Sequence, residues 1–297
     1  MSALAEEDFA ALNRMIYNYR RYLYSGIIDE YLHRRRGSSH EFYDYKAFTQ
    51  GDDPRHINWN GYLRHGKLFT KTFHEEAYFH LHLLVDNSGS MTFLADKPPA
   101  VVRFACAMAY IAFAIRLPVE VSLLCPRPDR ASYLPARTLD AVAGFLQRGL
   151  ETMDTGPTDT DRLAETVDDY GRRHHRKSGI VLLISDFLYD PTALHGILQN
   201  LLRYNFEVRA VHVVSQQERQ PSAQLVETPV RIRDVETGKE HVVFFKKSDY
   251  EASVQAHLDA VDRVLHENQM PVLRLYAEEP VVPFIRRHML DLSIVRH

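Results

Sequence analysis

Residues 79–90 read Phe79-His-Leu-His-Leu-Leu-Val-Asp-Asn-Ser-Gly-Ser90. An apolar run broken only by two histidines stops abruptly at a carboxylate, which predicts a strand over 79–85 ending at Asp86. Asp86, Ser88 and Ser90 then follow at i, i+2 and i+4. A loop leaving a strand can turn three such side chains inward around one point. Carboxylate and hydroxyl oxygens are hard ligands and suit Mg²⁺, which takes six oxygens in octahedral geometry. Three oxygens cannot complete that sphere, so other loops must contribute. The competing reading of the same residues is a polar turn capping the next helix, where Ser and Asp are also favoured.

Working outward toward the C-terminus, strands and helices alternate. A helix is expected over 99–116. Its segment Phe104–Ile115 carries no charge and lies between Arg103 and Arg116. A membrane span needs about 20 apolar residues, so this reads as a buried helix and no span is expected. A strand follows at 119–124, then helices at 138–150 and 159–174. Gly179-Ile-Val-Leu-Leu-Ile-Ser185 is a continuous apolar run, the pattern of a strand buried on both faces. A helix at 192–204 and a strand at 206–214 continue the alternation. A hairpin flanking Glu236-Thr-Gly-Lys239 interrupts it, with strands at 225–234 and 241–246. Beyond lie a helix at 248–267, a strand at 272–276, a helical turn or two at 284–289 and a short strand at 292–295. Such alternation predicts an α/β fold, a parallel sheet flanked by helices. Functional sites in such sheets lie at the carboxyl ends of the strands. Asp186 stands directly after the strand at 179–185. Gly156-Pro-Thr-Asp-Thr160 precedes a helix and offers Thr158, with Thr160 as the alternative. Both segments can converge on 86–90.

The N-terminal part is different in character. Leu4, Phe9, Leu12, Ile16, Tyr19 and Leu23 recur at helical spacing, predicting a helix over 4–24. A polar segment, Arg34–His40, follows. Turn chemistry marks Gly51-Asp-Asp-Pro54 and His65-Gly-Lys67, with short strands such as 67–74. Asp52, Asp53, Arg55 and the single Trp59 have two readings, a turn stapling this segment to the α/β domain that follows or a partner-binding surface.

The chain of 297 residues carries 36 basic and 39 acidic side chains, a net charge of −3. That average attracts neither nucleic acid nor polyanions. It hides an asymmetry, because residues 14–71 hold 11 basic and 6 acidic residues. The run Arg34–Arg36 reads as a solvated face, with phosphate contact as the alternative. Two cysteines in this length form no disulfide framework and fit a reducing compartment. The acidic N-terminus lacks the apolar core of a secretory signal. A cytoplasmic protein is the expectation. No phosphate loop of the Gly-x₄-Gly-Lys-Ser/Thr type is present. Asn87-Ser-Gly-Ser90 is not the Gly-x-Ser-x-Gly elbow of a hydrolase. A metal-dependent hydrolase and a nucleic-acid binder therefore remain alternatives to a non-enzymatic binding module. His80 and His82 share one strand face and read as polar residues on a partly exposed surface. His174-His175 reads as a helix-end pair facing solvent.

Asp86-x-Ser88-x-Ser90, a later Thr and a later strand-end Asp resemble the metal-ion-dependent adhesion site (MIDAS) of von Willebrand factor A domains. The preceding block narrows the resemblance. Arg36-Gly, Glu41-Phe, Gly51-Asp-Asp-Pro-Arg55, Ile57-Asn-Trp59, Arg64, Gly66-Lys-Leu68 and Glu75-Glu76 resemble the signature of the bacterial DUF58 family, as does the hairpin Val230–Glu240. The family usually has Asp where Asn58 stands, commonly Arg near Lys46, and Gly-Gly-Thr-Asp-Leu where this chain reads Gly156-Pro-Thr-Asp-Thr160. The resemblance implies a von Willebrand factor A-like domain over 78–297, with the hairpin inserted at 225–246, behind a family-type segment over 1–77. By position, Ser88, Ser90 and Thr158 would bind Mg²⁺ or another divalent cation directly, and Asp86 and Asp186 mostly through water. One position would stay open to a partner's carboxylate. The implied role is a non-enzymatic adaptor or co-chaperone acting with a MoxR-type AAA+ ATPase on a client protein.

Overall fold

The structure is a computed structural model describing residues 3–17, 36–49, 52–74, 80–125, 132–151, 160–175, 179–204, 206–219, 229–233, 240–244 and 246–292. The chain divides into two compact units, Met1–Tyr17 with Phe79–Ser293, and Asn18–Tyr78 with Ile294–His297.

Helix α1 (6–17) belongs to the larger unit, where Phe9 meets the Tyr110 ring edge-on at 5.1 Å and Asn13 accepts a hydrogen bond from the Tyr110 hydroxyl. The rest of the helix expected over 4–24 lies outside the described residues. In the smaller unit, β1 (Arg36–Ala47) pairs antiparallel with β2 (Phe69–His74). Between them Asp53 caps a short 3-10 turn, Pro54–His56. Helix α2 (Trp59–His65) starts where the Asn58 side chain accepts from Gly61 N at 3.0 Å. It ends at Gly66, whose φ of 65° is the left-handed conformation that favours glycine. The strand over Arg36–His40 was not expected. Its polar sequence carries no period-2 signal, and pairing with β2 overrides that local preference.

The larger unit is built on β3 (His80–Val85), α3 (Gly89–Phe93), α4 (Lys97–Ala114), β4 (Val119–Leu123), β5 (Tyr133–Ala136), α5 (Leu139–Gly149), α6 (Thr160–His174), β6 (Gly179–Ser185), α7 (Pro191–Leu202), β7 (Glu207–Val214) and α8 (Gln216–Arg219). It continues with the hairpin β8 (Pro229–Arg233) and β9 (Glu240–Phe244), then α9 (Lys247–Glu267), β10 (Leu273–Tyr276), α10 (Val281–Arg287) and α11 (Met289–Leu292). The six-stranded sheet runs β10-β7-β6-β3-β4-β5, parallel throughout except for β5 at one edge. Leu84, Val181, Leu183 and Ala210 pack one face with Leu163 and Val167 of α6, Leu194 and Leu198 of α7, and Val261 and Leu265 of α9. Helix α4 packs against β3, β4 and β7 and joins α5 and α10. The expected α/β class, a mostly parallel sheet flanked by helices, is therefore present, as is the hairpin.

Three expectations need correction. Strand β5 was missed because Tyr-Leu-Pro-Ala contains Pro135, and proline is tolerated here only because the strand is an edge. Leu292 closes α11 instead of opening a strand, and residues 293–295 lie outside the described residues. His80 and His82 are not on a partly exposed face. His82 is fully buried and His80 is 9% exposed, because helices cover the sheet face that alternation left half-polar. His174 is likewise buried while His175 is exposed. Among the described residues, no helix is long and apolar enough to cross a membrane.

Candidate functional site

Strands β3 and β6 are neighbours in register, with Val85 opposite Ile184. The residues that leave their carboxyl ends therefore meet. Asp86 and Asp186 are both buried, at 0% and 1% exposure. Ser90 Oγ donates to Asp186 Oδ1 at 3.2 Å, and Ser88 Oγ lies 3.1 Å from Ser90 Oγ. Asp86 Oδ1 accepts from Ser88 N at 2.9 Å, and Asp86 Oδ2 accepts from Ser185 Oγ at 2.6 Å. Burial, reinforced by the nearby Asp186 charge, raises the Asp86 carboxyl to about 6, against the pull of Ser185 and Ser88. Four of the five expected metal-site residues thus converge. Thr158 lies outside the described residues, and of Thr160 only its place at the start of α6 is described.

The backbone supports this arrangement on both sides. Asn87 bridges to the neighbouring strand end, where its Nδ2 donates to Cys125 O at 3.1 Å and its Oδ1 accepts from Cys125 N at 2.8 Å. After Asp186 the chain takes a φ of 50° at Phe187, a conformation costly for an aromatic residue. Phe187 N donates to Ser185 Oγ at 2.9 Å and Leu188 N to Asp186 Oδ1 at 3.2 Å, which hold the turn. The result drives the Phe187 ring into the core and leaves Leu188 46% exposed. At the end of α3, Phe93 is 64% exposed.

The model of the family described as "Protein of unknown function DUF58" matches residues 44–259. The chain belongs to this family. No curated protein matches it. Among solved structures, this DUF58 chain is similar to a conserved hypothetical protein BatB from Bacteroides thetaiotaomicron at 10% identity, over 71% of this chain and 99% of that one, with a TM-score of 0.38. It is similar to a von Willebrand factor type A protein from Catenulispora acidiphila at 17% identity, over 49% and 35% of the two chains, with a TM-score of 0.32. A third likeness is to an aerotolerance-related membrane protein from Bacteroides fragilis NCTC 9343 carrying multiple mutations to serines. It has 13% identity over 62% and 99% of the two chains and a TM-score of 0.35.

Sequence reasoning on this DUF58 chain missed the cation at the site. Lys97, at the start of α4, is wholly buried, and its Nζ lies 2.7 Å from Asp186 Oδ2 and also contacts Glu218 Oε1. It donates to Ser90 O at 3.4 Å as well. Burial works against its charge, but Asp186 and Glu218 outweigh burial and raise the Lys97 pKa. Burial raises Glu218, which α8 presents just beyond β7, with Ser215 N donating to Glu218 Oε2 at 3.0 Å. Nothing local marked Lys97, since its partners lie 89 and 121 residues away.

The donor set fits a hard divalent cation. Oxygens bound at 2.0–2.1 Å around an octahedral Mg²⁺ stand about 3 Å apart, close to the 3.1 and 3.2 Å spacings of Ser88 Oγ, Ser90 Oγ and Asp186 Oδ1. Among the described residues no group of three or more His, Cys, Asp or Glu gathers for a metal. The hydroxyls and the two aspartates are the donors on offer.

The other expected residues sit in the smaller unit. Asp52 accepts from Thr49 N at 2.9 Å and pairs with Lys46 Nζ at 2.6 Å. Arg55 and the adjacent backbone hold Asp53 down at about 2, through an Nη2–Oδ2 contact of 2.7 Å. Lys46 and Asn58, the departures from the family pattern, thus hold Asp52 and cap α2. Trp59 is 59% exposed and meets Tyr62 edge-on at 6.5 Å between ring centroids.

Proposed function

We propose that this DUF58 chain is a non-enzymatic, metal-dependent protein-binding adaptor or co-chaperone of the cytoplasm, acting with a MoxR-type AAA+ ATPase on a client protein. The observation that carries the reading is the pairing of oxygen donors with exposed apolar side chains close by in sequence, on α3 and on the turn after β6. Ser88, Ser90 and Asp186 supply the donors, and Phe93 and Leu188 flank them. Few anionic donors leave a bound Mg²⁺ under-neutralised, which favours an incoming carboxylate. Exposed Phe and Leu give that carboxylate's neighbours an apolar surface to bury. The hydroxyls of Ser88 and Ser90 are engaged with each other and with Asp186. The buried imidazoles of His80, His82 and His174 gather on Glu120, toward the opposite end of the sheet. That distribution supports binding over nucleophilic hydrolysis. Trp59 and the Asp52–Arg55 turn are a second contact candidate in the smaller unit.

The test is capture of a MoxR-type ATPase by the immobilised full chain, with Mg²⁺ or with EDTA, and by Asp86→Ala. Capture lost on chelation and in the variant is expected. Equal capture in all three arms would end the metal-bridge reading.

A further inference from the structure

The carboxylate of Asp186 has two sides. Oδ1 faces the hydroxyl of Ser90, and Oδ2 is held from within by the buried ammonium of Lys97. We propose that Lys97 is a tethered cation that competes with a divalent metal ion for Asp186, with Glu218 as the place it retreats to. This rests on the metal-site reading above and adds a built-in competitor to it.

The placement of Lys97 is costly unless its charge has a task. It occupies the first turn of an 18-residue helix, whose N-terminal dipole end disfavours a cation. It is also among the largest wholly buried side chains. Among the described residues the carboxylates of Asp186 and Glu218 compensate its charge, and they come from beyond two different strands. One ammonium therefore balances two carboxylates. A dication taken up by Asp186 would place a second positive charge close to Lys97 in a poorly screened interior, where like charges repel strongly. Glu218 relieves that repulsion. It already contacts Nζ, and its other oxygen is fixed by Ser215 N at 3.0 Å, so the ammonium can lean on it when Asp186 turns to the metal. The same ammonium offsets the charge of Asp186 when no metal is bound.

A merely structural Lys97, one that only holds Asp186 in position, predicts the opposite outcome on removal. The experiment is titration calorimetry of MgCl₂ and MnCl₂ into metal-stripped full-length chain, Lys97→Gln and Glu218→Gln, with circular dichroism confirming that each is folded. Removing the competitor is expected to tighten metal binding about tenfold. Glu218→Gln leaves Lys97 with Asp186 alone and is expected to weaken binding several-fold. Equal or weaker binding by Lys97→Gln overturns the competition and leaves the metal site standing. If Lys97→Gln does not fold, Glu218→Gln decides, and unchanged or tighter binding there overturns the proposal. No binding by any of the three chains overturns the metal reading and the competition together. Metal binding that follows the expected order without capture of the ATPase removes only the partner.

Discussion

At the carboxyl ends of β3 and β6, Asp86 and Asp186 stand in loops, with Lys97 brought in from the following helix. Toward the amino ends, Glu120 of β4 lies beside His82 of β3 in strand register and collects three imidazoles. Its Oε1 is 3.3 Å from His80 Nδ1, and its Oε2 is 3.5 Å from both His82 Nδ1 and His174 Nε2. Tyr170 seals this end, with its hydroxyl 2.6 Å from His82 Nδ1 and its ring stacked on His174 at 4.2 Å. Burial, with the Glu120 charge, holds that phenol well above its ordinary pKa. Both ends bury ionisable side chains in one sheet. The lower end draws on side chains inside regular elements and is closed by aromatics. The upper end draws on residues just beyond the strands, where the carboxylates are buried while Phe93 and Leu188, near them in sequence, are exposed. The lower cluster is enclosed within regular elements, whereas the upper one gathers where the chain leaves the strands.

The largest expected effect lies at the lower end. Glu120→Gln removes the carboxylate on which three buried imidazoles converge, and each buried polar group left without its partner costs about 1–3 kcal/mol. Urea unfolding at neutral pH measures it. A loss below about 1 kcal/mol would mean that the imidazoles do not depend on Glu120, and the contrast between the two ends would fail.

His212 sharpens the contrast from the other side. It is buried on β7 opposite Ser185, near the upper end. Burial, with Arg274 and His257 nearby, lowers it to about 3 from an ordinary 6.5. The native ring is therefore neutral, while the unfolded chain takes up the proton first. Its contribution to stability is complete above pH 6.5 and is lost as pH falls toward 3. His212→Leu should unfold less steeply with acid in that window, by up to about 1.4 kcal/mol per pH unit. Identical slopes for variant and parent would break the assignment of a neutral buried ring.

Gly179 opens β6 against the backbone of His80, where an added Cβ would stand 2.0 Å from His80 O. That atom is main chain and cannot swing aside. Gly179→Ala should cost about 1–3 kcal/mol by forcing the strands apart, read as a lowered urea midpoint. A neutral result would show that the lower end of the sheet is looser than its burial implies.

Legibility in the sequence follows the range of the interactions. Gly179–Ser185 declares itself because a strand buried on both faces carries an unbroken apolar run, here the five residues Ile180–Ile184. Asp86 and Asp186 are legible because a carboxylate directly after such a run stands at a strand's carboxyl end. Lys97 was not legible. Lys-Pro-Pro after Met91–Asp96 carries no local sign of burial, and the meeting of α4 with the residues beyond β6 and β7 supplies its carboxylates. His80 and His82 misled for the same reason, since alternation marks a face as polar without saying whether a helix covers it. Glu120, which compensates them, looks like any charged residue in a short strand. The distant half of each cluster came only with the fold.

The smallest effect on stability is expected where the effect on binding should be large. Phe93 and Leu188 are exposed at the rim, so Phe93→Ser and Leu188→Ser should change unfolding free energy by no more than about 0.5 kcal/mol. They remove apolar area from the surface around the oxygen donors, and exposed aromatic and aliphatic anchors supply much of the energy at protein contacts. Captured ATPase should therefore fall in both variants while melting temperature and metal affinity stay at the parent values. A drop in stability instead would mean that these side chains support the Phe187 turn, and the upper end would then resemble the lower one. Unchanged stability with unchanged capture would leave the donors without an apolar surround, and the partner would have to reach them by charge alone.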